Sequence, residues 1–190
     1  MEKRGRKAAM VLVGLTALAL PRAATAESEP GFVLHVANHA RLSPGVLEET
    51  KARVLEVYGA IGVGIEWIDG REVARQVENG KLHLSVMLLS RDMRSSVSGE
   101  QHKLLGQAHM PLGRAYIFCD RIAALHSVPA AFSTALAHVV AHEVGHLLLQ
   151  ENRHSRSGIM RADVPGYTSH LQTFSSTEAR AIRVALLAMD

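Results

Sequence analysis

The chain has a single cysteine, Cys119, so it cannot form an internal disulfide, and its fold must hold by its core and any bound metal. Cys119 lies within the apolar run "AYIFCD" and reads as a small buried hydrophobe in a strand rather than a reactive thiol. Aromatic residues are scarce at 4%, and no basic cluster with interleaved aromatics occurs, which excludes the usual nucleic-acid footprint. There is no internal repeat and no low-complexity segment. There is also no apolar run long enough for a comfortable membrane span. The longest, Ala8 to Leu20, has 13 residues.

That short run explains much of the charge. Lys3, Arg4, Arg6 and Lys7 precede it, and the small residues Ala24, Thr25 and Ala26 follow. A basic start, a short apolar stretch and a small-residue site describe a secretory signal peptide, with cleavage expected after Ala26. The whole chain carries +3 with neutral histidines. The leader holds five of the 21 Lys/Arg and one of the 18 Asp/Glu, so residues 27–190 keep 16 and 17, a net charge of about −1. The basic excess therefore belongs to the leader. The expected product is exported, periplasmic or extracellular, without a stable membrane span after cleavage, and monomeric.

Residues 27–190 read as one domain in the usual size range. Hydrophobic residues make up 47% of the chain, ample for a packed core. Strands are expected at residues 32–40, 63–69, 81–90 and 114–120, with an edge strand within 104–113 that Pro111 ends or confines to the margin. A helix should start at Ser43-Pro44 and stop near Gly59 to Gly62. The longest helical pattern is 128–150. A final helix spans 175–189, where Ser175 and Glu178 have capping-box spacing. The expected class is α/β (α+β): a mixed twisted sheet with an edge strand, a long helix carrying the site, and a C-terminal helix.

The chemistry concentrates in "HEVGHLLLQENRHSRSGIM", residues 142–160. Histidines at i and i+4 share a helix face, so His142 and His146 can reach one point. Two imidazoles on one rigid helix make a preset pair of zinc ligands. Glu143, beside that face, suits a general base that activates a zinc-bound water without ligating the metal. A catalytic zinc takes three protein ligands and keeps one position open. His154, beyond the expected helix end, is one candidate for the third. Asn152 tolerates the left-handed conformation such a return needs. Glu178 and His170 are the other candidates, although Glu178 also fits the cap of the last helix. His138, four residues before His142, suits packing or support of the ligands better than a fourth ligand that would close the site. Tyr167 offers a hydroxyl but reads as an ordinary loop tyrosine.

This run resembles the metzincin clan of zinc metallopeptidases, and matrixin-like members most, in which a serine follows the third ligand and a methionine soon after. The resemblance implies a zincin-like fold, one catalytic zinc held by His142, His146 and His154, Glu143 as base, and Met160 in a tight turn beneath the metal. The implied activity is hydrolysis of peptide bonds in a peptide or protein substrate. Peptidases of this type pair an extended substrate with an exposed strand edge, a role that suits "LGQAHMP". The pattern H-E-x-x-H-x-x-G-x-x-H is not fully kept. Leu149 stands in place of its glycine and Asn152 in place of its third histidine, and His154 arrives two residues late. A non-enzymatic alternative uses the same ligands in an inactive zinc-binding or protein-interaction module.

Overall fold

In the computed structural model, residues 30–70, 72–93, 104–126, 128–162 and 171–189 are described. The expected leader, His170 and Tyr167 lie outside them. The elements are β1 (Gly31–Asn38), α1 (Pro44–Gly59), β2 (Gly64–Asp69), β3 (Gln76–Glu78), β4 (Lys81–Leu89), β5 (Gly106–His109), a 3₁₀ turn (Met110–Leu112), β6 (Arg114–Phe118), α2 (Cys119–Leu125), α3 (Pro129–Leu149) and α4 (Ser176–Leu187).

The six strands form one mixed sheet in the order β2-β1-β4-β6-β5, with β3 pairing antiparallel to the start of β4. β1, β2, β4 and β6 run parallel. β5 runs antiparallel to β6 and forms the edge. Period-two alternation sets the two faces. Phe32, Leu34 and Val36 of β1 and Leu82, Leu84, Val86 and Leu88 of β4 enter the main core with α1 and α3. Met87, Leu89 and Phe118 form a smaller cluster of their own.

The helix starts follow their sequence signals. Ser43 caps α1 by accepting from the Val46 N–H, with Pro44 in the first turn. Ser175 and Glu178 form the full capping box of α4. In α3 every residue from Ala135 to Leu148 is buried, so this helix is a central element and carries apolar groups around its whole circumference.

Two expectations are corrected. Cys119 is not in a strand: β6 ends at Phe118 and Cys119 begins α2. The short strand β3 was not anticipated, although Asn79-Gly80 marks it. Both residues take positive φ, 51° and 74°, as a two-residue hairpin turn requires.

Candidate metal centre

α3 supplies His142, Glu143 and His146, all buried, and the chain then reverses to bring in His154, which is exposed. Among the described residues these three histidines are the one group whose ligand atoms gather closely enough for a metal ion.

Hydrogen bonds fix what each ring offers. His142 Nδ1 lies 2.8 Å from the Ile159 carbonyl oxygen, and His146 Nδ1 lies 2.7 Å from that of Glu151. A carbonyl only accepts, so both Nδ1 atoms carry the proton and both Nε2 atoms present lone pairs. Those lone pairs face each other. Nε2 of His146 is 3.1 Å from Nε2 of His142 and 3.3 Å from Nε2 of His154. Two lone pairs at this distance repel unless a cation lies between them. The edge of a tetrahedron with zinc–nitrogen bonds of about 2.0–2.1 Å is about 3.3–3.4 Å, so the donor set fits zinc.

A second histidine pair makes the contrast. His35 Nε2 and His83 Nδ1 are 2.9 Å apart with ring centroids 5.2 Å apart. Those rings lie end to end, as in an N–H···N hydrogen bond. For His142 and His146 the nitrogens are farther apart, yet the centroids are closer, at 4.7 Å. Their rings tilt toward a common point. Burial pushes His142 down to about 4 and lowers His146 as well, against the raising effect of their carbonyl partners. Both are therefore neutral at ordinary pH, the form that binds a metal.

Glu143 projects to the side of β5. Burial pushes its carboxyl up to about 8, partly offset by a hydrogen bond from the Ala108 backbone N–H. β5 reaches Glu143 so closely because residue 106 is glycine: a Cβ there would lie 2.7 Å from Glu143 Cγ and 2.8 Å from Oε1.

Beneath the histidines lies the turn at 158–161. Gly158 takes φ +77°, and a Cβ on it would meet the Thr173 carbonyl oxygen at 2.6 Å. The Arg161 N–H closes the turn on the Gly158 carbonyl, and the Ser155 N–H donates to the Met160 carbonyl at 2.8 Å. The buried Met160 packs its sulfur against Gly145, between the two helical histidines. Only glycine allows this, since a Cβ there would sit 2.6 Å from Sδ.

The other candidates are placed elsewhere or not described. Both carboxylate oxygens of Glu178 are engaged: Ser155 Oγ donates to one, and the Ser175 N–H to the other at 2.8 Å. His138 is buried, its ring held down at about 4 by burial, and it stays out of the three-nitrogen group. The left-handed residue of the return is Gln150 (φ 54°), not Asn152. The helix runs through Leu149 and turns one residue later than a glycine at position 149 would dictate. The sequence reading also passed over Gly106 and Gly145, whose missing side chains let β5 and Met160 approach, and Tyr58. The buried Tyr58 hydroxyl donates to the Ala141 carbonyl at 3.0 Å and ties α1 to α3.

No family model matches the chain, and no curated protein matches it in sequence. Solved structures do match. Among them is the crystal structure of archaemetzincin from Methanopyrus kandleri, with a TM-score of 0.53 and 13% identity over 86% of this chain and 99% of that one. What the two share is the fold, so the chain has a zincin-like fold of mixed sheet and helices.

Proposed function

We propose that this chain is a zinc-dependent peptidase whose metal is held by His142, His146 and His154. The observation that carries the reading is the convergence of three Nε2 atoms at 3.1 and 3.3 Å, with two of the rings locked by backbone carbonyls in the tautomer that ligates. The zincin-like fold and the side-by-side placement of Glu143 support it. The finer assignment, a metzincin of matrixin-like character with a longer return to the third histidine, rests on Ser155 and Met160 keeping their places relative to His154.

Zinc, when bound, supplies Lewis acidity and makes a water acidic enough to lose a proton near neutrality. The remaining roles fall to the chain. Glu143 accepts the proton of the attacking water and returns it to the leaving amine. Its burial raises its proton affinity in the direction a base working near neutral pH needs. Gly106 keeps β5 close enough that a peptide on the sheet edge passes directly over Glu143. Met160 supports the floor, and Glu178 holds Ser155 just after the third histidine.

The reading extends to the whole chain as an exported protein, with residues 1–26 as signal peptide and residues 27–190 as one peptidase domain acting on peptide or protein substrates. The test is digestion of a peptide library by the zinc-loaded protein, read by mass spectrometry, beside Glu143→Gln. Cleavage by the wild type and its loss in a variant that keeps zinc support an enzyme. Equal behaviour of the two, with zinc bound in both, indicates a binding module.

A further inference from the structure

α3 ends without the residue that helix ends favour. The left-handed position that closes a helix is usually glycine, and here Gln150 takes it. For a residue with a side chain this conformation is strained. The last carbonyls of the helix also lack partners within it. Everything that follows depends on this exit. Glu151 must place its carbonyl on His146, and His154 must return to the cluster.

Two side chains meet at this point, on one carbonyl. Gln150 Nε2 donates to the Leu147 oxygen, and so does Arg75 Nη1 at 3.0 Å. Arg75 comes from a distant part of the chain, the segment leading into β3. That segment is pinned just before Arg75 and at Arg75 itself. Ser85 Oγ accepts from the Val73 N–H and donates to the Val73 carbonyl, each at 2.9 Å. The Arg75 N–H donates to the Leu112 carbonyl at 2.9 Å. Gly113, at φ +62°, leaves the space that Arg75 fills: a Cβ there would lie 2.5 Å from Arg75 Cβ. The guanidinium is thus delivered to the carbonyl end of the helix, where the aligned peptide dipoles favour a cation. Because the same residue is held against the turn between β5 and β6, it links the sheet edge to the histidine helix.

We propose that Arg75 is a positioning residue of the three-histidine site, holding the end of α3 in the conformation that orients His146 and returns His154. This rests on the reading that the cluster holds a metal. Arg75 touches no reacting group and acts through Leu147 and the turn at Gln150. It holds the helix end at which Gln150 stands where a glycine is usual.

The experiment compares the full-length protein with Arg75→Met and Arg75→Lys. Cobalt(II) titration gives affinity and the visible spectrum of the site. Hydrogen exchange of the metal-free proteins reports opening at residues 147–154. Arg75→Met is expected to weaken cobalt binding on the order of 10- to 100-fold, the usual effect of losing a residue that orients a metal ligand. It should also alter the visible bands and speed exchange at 147–154 while β1 and β4 stay protected. Arg75→Lys, with one donor kept, should recover most of the affinity. Wild-type affinity and spectrum in Arg75→Met would overturn the proposal, as would fast exchange throughout the chain with no recovery by lysine. If the wild type takes up no cobalt, the metal reading fails separately. The exchange at 147–154 then decides: unchanged exchange in Arg75→Met overturns the positioning role, and faster exchange confined there upholds it for the helix end.

Discussion

The sulfur of Met160 occupies the space where a side chain on Gly145 would begin. Phe174 closes the same space, its Cε1 lying 3.0 Å from the position of that Cβ. Met160 is 1% exposed and has nowhere to swing. Gly145→Ala is therefore expected to destabilise the protein by about 1–3 kcal/mol through overpacking, despite alanine's better helix propensity. Thermal unfolding checks this. An unchanged or raised Tm would show that the methionine turn can retreat from the helix.

His154 is the exposed member of the cluster and reaches it from eight residues beyond His146, past the end of α3. His154→Ala should lower zinc affinity by more than the roughly 100-fold that loss of a merely orienting partner costs. Competition with a chromogenic chelator measures it. Full retention of zinc and activity would remove His154 from the site.

Ala108 joins the sheet edge to Glu143, the proposed base. Its backbone N–H bonds Glu143. Ala108→Pro removes that donor and breaks the edge, so KM for peptides should rise and kcat should fall with it. Steady-state kinetics on a cleaved peptide decide. Unchanged constants would place the substrate elsewhere.

Much of this was legible beforehand because its causes are local. Ser43-Pro44 and the Ser175/Glu178 box set helix starts within a few residues, and the spacing of His142 and His146 is the spacing of a helix face. What stayed hidden is long-range. Nothing near Arg75 in the sequence points to Leu147, 72 residues away. The left-handed turn falls on Gln150 rather than Asn152 because α3 ends at Leu149, where the side chains of Gln150 and the distant Arg75 both meet the Leu147 carbonyl. Asn79-Gly80, by contrast, is a local signal, since both residues favour the positive φ that the turn into β4 requires. Gly106 and Gly145 could not be distinguished from ordinary glycines until their neighbours were in place.

Cys119 gives a check on the core independent of the metal. Burial, with the nearby Asp120 charge adding to it, pushes its thiol up to about 12. The reactive thiolate is therefore scarce near pH 8, and the folded protein should react with a thiol reagent only as fast as it opens, whereas the denatured chain reacts at once. Rapid labelling of folded protein would contradict the buried start of α2.

On the proposed reading, the three imidazoles of His142, His146 and His154 converge because a cation belongs between them. Zinc per chain, measured by elemental analysis on purified folded protein after dialysis against a weak chelator, tests it most directly. Close to one zinc per wild-type chain is expected, and close to none in a folded variant carrying His142→Ala and His146→Ala. Folded wild-type protein without zinc, and unable to take it up, would contradict the metal centre and the peptidase reading built on it.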